Sequence, residues 1–465
     1  MHCFGNPRRL TIGLSALLLS SAIHASPQQL EADLRERLAG DNSRLTFSRI
    51  YQDGTQQRYI AEDVVVTHTN GDVLSIERYS VEGDYDCPDS VSINGIAVSE
   101  AGGAEPLLSI ASLTLPEPRH AVLSESDLDL SEFSFNAMTA RDITLRLDGA
   151  VGEELAKEFS SSPLEGLMHI ETLTLEELSS TTLGLLELQG LSVDLKELES
   201  GIAAMLTLDN LLIEQLIGID DPGAERVEHA ELNGFSLAGD DWSILLDRLW
   251  VDGSSYIGDA GFEGADFDIA GLINLVPPAE RQELQSLSNV MTGGTGQLRA
   301  EGRSHSRWEE EGAMNRLLSE GVFTFSGAAE IAYTMNLPIT LPKGVTPEQA
   351  TQNPELFETA TLNGGEVVIA YSDEGMLPRL TTEIAAREGI TEDQAIAHAW
   401  AQAQQLGPLM GQQVTKLLSG LVDIMAGNAQ ALTVNAALPN PFTLEQFIIN
   451  PMGSAERLRF TFELK

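Results

Sequence analysis

Six histidines lie beyond the N-terminal apolar leader: His68, His120, His169, His229, His305 and His398. Imidazoles ligate zinc or do acid–base work when two sit within a helical turn beside a carboxylate, as in HExxH. No two of these are close enough in sequence to form such a set. Cys87 stands between Asp86 and Pro88, with Asp89 next, and nothing in that context activates a nucleophile. A GxSxG elbow and an SxxK pair are both absent. The acidic clusters Asp84/Asp86/Asp89, Asp220/Asp221 and Asp240/Asp241 lack the EF-hand spacing and its closing Glu. Thr292-Gly293-Gly294-Thr295-Gly296 is Gly-rich but lacks the spacing and the Lys of a phosphate-binding loop, so it reads as a turn or linker. The sequence therefore predicts no catalytic residues, no metal ligands and no cofactor, and leaves any ligand-binding residues unassigned. A hydrolytic site assembled from distant residues stays open.

What the chain offers instead is a recurring hexad: apolar, two polar or small residues, apolar, polar, apolar. Copies read AEDVVV (Ala61–Val66), IERYSV (Ile76–Val81), INGIAV (Ile93–Val98), IASLTL (Ile110–Leu115), LSEFSF (Leu130–Phe135) and ARDITL (Ala140–Leu145). They continue with IETLTL (Ile170–Leu175), LQGLSV (Leu188–Val193), LDNLLI (Leu208–Ile213), LNGFSL (Leu232–Leu237), LDRLWV (Leu246–Val251) and the poorer GADFDI (Gly264–Ile269). A plain strand places i, i+2 and i+4 on one face. Here the apolar set is i, i+3 and i+5, and one extra residue in a bulge returns all three to the same face. In INGIAV and LNGFSL the Asn-Gly pair also suits a two-residue hairpin turn. Both readings predict a mainly β fold, a repetitive antiparallel sheet (groove or sandwich) with one apolar face, followed by a C-terminal α-helical segment.

The 465 residues suffice for two or three domains. Arg8 and Arg9, the 14-residue apolar run Leu10–Ile23 and Ala25 read as a cleaved secretory signal over residues 1–25. The run is short for a membrane span, which needs about 20 residues. Retention would instead leave an inner-membrane anchor facing the periplasm. Cys3 precedes the run and cannot be a lipoprotein cysteine, so cleavage would leave Cys87 without an internal disulfide partner. The net charge of −43 comes from 70 acids against 27 bases, of which five are Lys. That balance makes nucleic acid and anionic headgroups poor partners for the general surface. Self-repulsion of this size weakens as salt shortens the screening length, so the acidic, Lys-poor composition fits a halophilic bacterial source.

Residues 26–270 read as an N-terminal helix plus the repetitive β domain, 271–320 as a linker with helical pieces, and 321–465 as an α+β region. Ser26-Pro27-Gln28-Gln29 is a capping box, Leu30, Leu34 and Leu38 form one stripe, and Gly40 stops the helix. Leu45–Tyr51 predicts the first strand, and Val64–His68 and Val73–Tyr79 flank an Asn70-Gly71 hairpin turn. Helices are expected at Val151–Phe159, Ala279–Val290 and, between strands at Leu298–Ala300 and Val322–Leu337, at Arg307–Leu318. Pro338–Phe357 reads as a Pro-punctuated loop holding a helical turn, and Glu366–Tyr371 as a strand. Three helices follow: Met376–Arg387 before Gly389, one capped by Thr391-Glu392-Asp393-Gln394, and Leu409–Met425, a core-facing helix carrying Leu417, Leu418, Leu421 and Val422. Strands Ala431–Ala437 and Leu458–Leu464 close the chain.

Glu388-Gly389-Ile390-Thr391-Glu392-Asp393-Gln394-Ala395, the strand around Leu432–Val434 and Phe442-Thr443-Leu444-Glu445-Gln446-Phe447 follow one another in an order that resembles the YdgA-like family of bacterial envelope proteins. The likeness covers roughly residues 380–447. More loosely, the hexad run is similar to the strand repeats of AsmA-like proteins. The first resemblance implies a periplasmic protein with no catalytic residues to carry over; the second implies a groove that handles phospholipid. Both groups usually keep an N-terminal anchor, and this leader and the extra Leu458–Leu464 strand depart from that pattern.

Together these features predict a non-enzymatic exported envelope protein whose one-sided sheet binds or shields lipid-like molecules, with phospholipid as partner. The alternative is a structural or interaction module with a closed core that meets another envelope protein through a strand edge. A secreted hydrolase comes third. A continuous open apolar groove favours the first, a closed sandwich with a bare edge the second, and a deep polar pocket with a His beside acids the third.

Overall fold

The computed structural model describes residues 27–39, 43–54, 57–123, 135–158, 164–197, 202–220, 226–253, 257–312, 314–352, 359–410, 412–443 and 458–465. The expected leader, Cys3, Ser26, Gly40, Asp221 and most of the LSEFSF hexad lie outside these residues. The fold is mainly β, antiparallel and open rather than closed into a barrel. The chain divides into two compact units: residues 1–201 with 215–220, and residues 202–214 with 221–465.

The first unit opens with helix α1 (Pro27–Asp33), which continues as a π-helical turn over Leu34–Ala39. Strands β1 (Ser43–Thr46), β2 (Arg49–Asp53), β3 (Arg58–His68), β4 (Val73–Asp84), β5 (Cys87–Ser99), β6 (Leu108–Pro116) and β7 (Phe135–Arg146) follow. Helix α2 (Gly149–Glu158) then precedes β8 (Leu164–Leu178) and β9 (Thr182–Glu197). The single first strand expected over Leu45–Tyr51 is two short ones, β1 and β2, which pair with successive halves of the longer β3.

The hexads are bulged strand interiors, not turns. Between β3 and β4 the ladder steps from Glu62–Arg78 to Val64–Ile76, leaving Asp63 opposite Glu77 outside it. Between β4 and β5 it steps from Arg78–Asn94 to Ile76–Ile96, leaving Glu77 opposite Gly95. Each strand carries its extra residue at the same level, so the register survives while the side-chain alternation flips. The flip puts Ala61, Val64 and Val66 on one face, all at 0% exposure, beside Ile76, Tyr79 and Val81 at 3% or less. Alternate strands place the extra residue in the left-handed region: Asp63 on β3, Gly95 on β5, Asp142 on β7 and Gly190 on β9. Asp tolerates that conformation better than most side chains, and Gly adopts it freely. A Cβ on Gly95 would sit 2.7 Å from Glu77 Oε2, so the neighbouring acid lies over the glycine.

Leu30 and Leu34 of the N-terminal helical segment cap this apolar face over β3–β5 and are fully buried. The expected stripe is therefore real, with Leu38 packed at its margin. The Tyr79 hydroxyl donates to the Ala121 carbonyl at 2.9 Å and the Tyr85 hydroxyl to Asp33 Oδ2 at 2.8 Å. These bonds satisfy two phenols that burial would otherwise leave without water.

The second unit begins in β10 (Ala203–Ile217) and continues through β11 (His229–Ala238), β12 (Ser243–Gly253), β13 (Ile257–Asp268), α3 (Ile269–Leu275), α4 (Pro278–Thr292), β14 (Gln297–Glu311), β15 (Met314–Phe325) and β16 (Ala329–Thr340). Helix α5 (Pro347–Gln352), β17 (Thr361–Leu362), β18 (Glu366–Asp373), α6 (Met376–Glu388), α7 (Glu392–Met410), α8 (Gln412–Met425), β19 (Ala431–Ala437), β20 (Phe442–Thr443) and β21 (Arg459–Leu464) complete it. Two expectations fail here. The helix expected at Arg307–Leu318 is the β14–β15 hairpin, in which Arg307 pairs with Leu318 and Trp308 with Leu317. The charged run imitates a helix surface, but cross-strand pairing decides, and a helix-interior Gly312 would have cost about 1 kcal/mol. Val322–Leu337 is likewise two strands, β15 and β16, separated at the Ser326-Gly327 turn.

The cap expected at Thr391 forms. Thr391 N donates to Gln394 Oε1 at 2.9 Å while Gln394 N donates to Thr391 Oγ1 at 3.3 Å. The same reciprocal box, Thr346 with Gln349, starts α5 inside the Pro-punctuated loop. Leu417 and Leu421 of α8 pack on Leu432, Ile424 and Phe462, so α8 faces a core. Among the described residues no helix is long and apolar enough to cross a membrane.

Candidate functional site

Four of the six histidines, His68, His169, His229 and His305, lie on strands, His120 follows β6 and His398 is on α7; His305 lines a shallow concavity with Ser319, Glu320 and Glu366. His229 Nδ1 lies 2.5 Å from Asp252 Oδ1, with Glu231 at 3.6 Å, and His305 Nδ1 lies 2.6 Å from Asp259 Oδ1. Each is a cross-strand pair, His229 opposite Asp252 and Asp259 opposite His305. Neither imidazole is hydrogen-bonded to a hydroxyl or thiol among the described residues. His68 and His169 show the reverse: they meet Ser43 at 2.9 Å and Thr144 at 3.4 Å, with no carboxylate bonded to either ring among the described residues. A nucleophile–base–orienter chain needs both partners on one ring, and these four rings each have one. Among the described residues no group of three or more His, Cys, Asp or Glu is arranged to hold a metal ion. Asp84 accepts from the Asp86 backbone N–H at 3.2 Å, a turn contact. The Thr292–Gly296 segment bonds to itself: Gly296 N donates to Thr292 Oγ1 at 3.0 Å and Thr295 Oγ1 to the Thr292 carbonyl at 2.9 Å.

The feature that stands out is an uncovered apolar face in the second unit. Register puts Leu206, Leu208, Leu211 and Ile213 of β10 on the face shared by Leu232, Phe235 and Leu237 of β11. Leu246, Leu249 and Val251 of β12 continue it, then Ala260, Phe262, Ala265 and Phe267 of β13. On the first unit's β3 and β4 the matching positions are sealed by a helix. Here only Leu208 and Ala265 are buried, and Leu249 and Val251 remain 43% and 40% exposed. Farther along the same unit Ile331 and Ile369 are also exposed, at 37% and 46%.

Between these stretches the face becomes a flat aromatic floor. Phe262, Gly302, Phe323 and Ile331 succeed one another across four strands, and Gly321 pairs with Tyr333. A Cβ at Gly302 would lie 2.5 Å from Phe323 and 2.7 Å from Phe262, and one at Gly321 would lie 2.5 Å from Tyr333. The rings therefore lie across the glycines instead of standing off the sheet. Phe323 stacks on Tyr333 at 6.4 Å between centroids and lies tilted by 31° to Phe262 at 6.5 Å. The opposite face is polar and held by ion pairs. Arg248 donates to Glu231 at 2.8 Å and covers the Trp250 ring at 4.7 Å. Arg248, then Asn233, holds the Glu231 carboxyl below the usual carboxylate range.

The hexads exposed the β10–β13 part of this face to sequence reading. They could not expose Phe323, Tyr333, Ile331 or Ile369, whose strands lack the hexad; a periodicity-two reading of Phe323/Phe325 against Ile331/Tyr333 is the signal that finds them.

A family model described only as an uncharacterized protein matches residues 321–464, from within β15 through β21. No curated protein matches the chain.

Proposed function

We propose that this is a non-enzymatic exported envelope protein that binds lipid-like molecules on the apolar face of its second unit. One observation carries the reading: β10–β13 present a continuous, largely half-exposed apolar surface that no described helix of the unit seals, while the equivalent face at β3–β5 of the first unit is sealed by Leu30 and Leu34. Isolated exposed leucines are ordinary, but a contiguous four-strand face is not. Magnitudes favour a two-chain lipid. Seating about eight methylenes of each chain gains roughly 13 kcal/mol from water at ~0.8 kcal/mol per CH₂. Lost translation and rotation cost at least about 4 kcal/mol. A single chain gains half as much and is left with a margin of roughly 2 kcal/mol. A bilayer is as apolar as the leucines, so exchange with a membrane lies near balance, which suits carriage or shielding rather than extraction. The acidic surface fits a salt-exposed compartment and a halophilic bacterial source, with periplasmic localisation behind a cleaved leader.

Displacement of 1-N-phenylnaphthylamine by the zwitterionic phosphatidylethanolamine, followed by fluorescence, tests the proposal. Dye uptake reversed by lipid, and weakened at least tenfold in Leu249→Glu/Val251→Glu, is expected. Unchanged binding in that folded variant, or no dye uptake at all, overturns it.

A second reading rests on the sheet being open. Strand β21 pairs with β19 and with no other strand among the described residues, which leaves an edge able to accept a strand from another envelope protein.

A further inference from the structure

The first unit carries a polar concavity on the face opposite its apolar core, with a volume of about 630 Å³. Two cross-strand rows build its floor. One row runs Arg78, Asn94, Ser112, Arg141 across β4 to β7. The next runs Ser80, Ser92, Thr114, Thr139 over the same strands. Arg58 of β3 closes one end beside Glu82, to which it is ion-paired, and Ser90 donates to the other Glu82 oxygen at 3.1 Å.

Three features separate this surface from an ordinary solvated face. In a chain with 27 bases against 70 acids, three guanidinium groups converge on one concavity. Arg78 and Arg141 make no hydrogen bond or ion pair among the described residues, although almost any cation here has acids to choose from; Arg78 exerts only a minor Coulombic pull on Glu62. The Arg58 Nε–H is buried with no acceptor, a group that costs about 1–3 kcal/mol unless something accepts from it. Between the arginines, the hydroxyls of Ser92, Ser112 and Thr114 and the Asn94 amide bond to no protein group among the described residues, so the floor presents groups that can both donate and accept. A planar guanidinium is suited to bidentate carboxylate or phosphate, and the hydroxyl row, with Asn94 and Ser112 beside it, matches the hydroxyls of a sugar ring. The strands bearing Arg78 and Arg141 are three steps apart, about 14 Å, room for one or two sugar rings between the two cations.

We propose that this concavity is a binding site for an acidic saccharide, a sugar bearing phosphate or carboxylate, with its anion held by Arg78 or Arg141 and its hydroxyls laid along the two polar rows. The site is separate from the lipid face, because its residues lie on β3 to β7 of the first unit and that face lies on β10–β13 of the second. The long-range field of a −43 chain repels anions, and at physiological salt it is screened within about 8 Å, so the local arginines decide.

Isothermal titration calorimetry on the full chain at 0.15 M salt tests it, with glucose 6-phosphate, glucuronate, glucose and inorganic phosphate as free probes. Vesicles containing phosphatidylinositol 4-phosphate present the same chemistry as a headgroup. Saturable binding of either acidic sugar, tighter than inorganic phosphate and absent for glucose, is expected. Arg78→Gln and Arg141→Gln should each weaken it about tenfold, and Ser112→Ala/Thr114→Val should bring the sugar phosphate down to the level of inorganic phosphate. Binding to the vesicles alone supports the same chemistry with a headgroup as its source. The proposal is overturned if folded protein binds none of the acidic probes, if inorganic phosphate binds as tightly as the sugars, or if the double arginine variant, with an unchanged circular dichroism spectrum, binds like the parent.

Discussion

Gly95→Ala isolates the device that makes the repeat work. Gly95 sits inside β5 at φ +62°, outside the ladder and opposite Glu77. An alanine there meets two costs. The left-handed conformation costs an L-residue about 1–2 kcal/mol. The new Cβ also crowds the Glu77 side chain, coming within 2.7 Å of Oε2. Glu77 is exposed and can swing away, so the conformational cost dominates and the total should be about 1–2 kcal/mol. Adding Glu77→Ala should recover only a few tenths of that, because the φ requirement stays. At the equivalent place on β7, Asp142 already adopts φ +50°. Asp142→Gly should therefore change stability by less than about 1 kcal/mol, as relief of the left-handed cost offsets the extra freedom of glycine in the unfolded chain. Urea unfolding followed by circular dichroism reads all three variants. Gly95→Ala should lower the midpoint by roughly 0.5–1 M with the slope unchanged. A neutral Gly95→Ala, or full recovery in the double variant, would refute the left-handed bulge as the origin of the hexad.

Leu30→Ala should destabilise the first unit by about 2–5 kcal/mol, since a fully buried side chain is removed from the lid over β3–β5; thermal unfolding measures it. Tyr85 titrates well above the ordinary phenol range because it is buried and bonded to Asp33. Its folded pKa exceeds its unfolded value of about 10, so its contribution is complete below that pH and is lost as pH rises beyond it. The alkaline stability profile of Tyr85→Phe should accordingly be flatter above pH 10 than that of the parent. Thr391→Ala removes one half of the capping box on α7 and should cost about 0.5–2 kcal/mol, read as a lower melting temperature and faster amide exchange in the first turn.

Local chemistry was legible where it decides structure locally. The Thr391–Gln394 box, the Leu30/Leu34 stripe and the one-sided hexads all follow from side-chain spacing, and the fold honours them. What spacing could not resolve was bulge against turn at Asn94-Gly95, because the deciding fact is the neighbouring strand carrying its own extra residue at Glu77. The helix expected at Arg307–Leu318 failed for the same reason: charge pattern is local, and the pairing of Trp308 with Leu317 is not. The arginines of the polar concavity come from β3, β4 and β7, and only the register joins them. The aromatic floor was partly hidden: a period-two reading can bring Phe323 and Tyr333 together, but Phe262 lies beyond two helices and another strand, and the glycines beneath the rings give no signal until the strands are aligned.

The central claim is lipid on the open apolar face of β10–β13. Native mass spectrometry of protein purified from its own cells, paired with an organic extract of the same sample, addresses it most directly. The account predicts a phospholipid-sized adduct that appears in the extract and is lost in Leu249→Glu/Val251→Glu. Protein of bare mass with a lipid-free extract, unchanged after incubation with phospholipid vesicles, would contradict it.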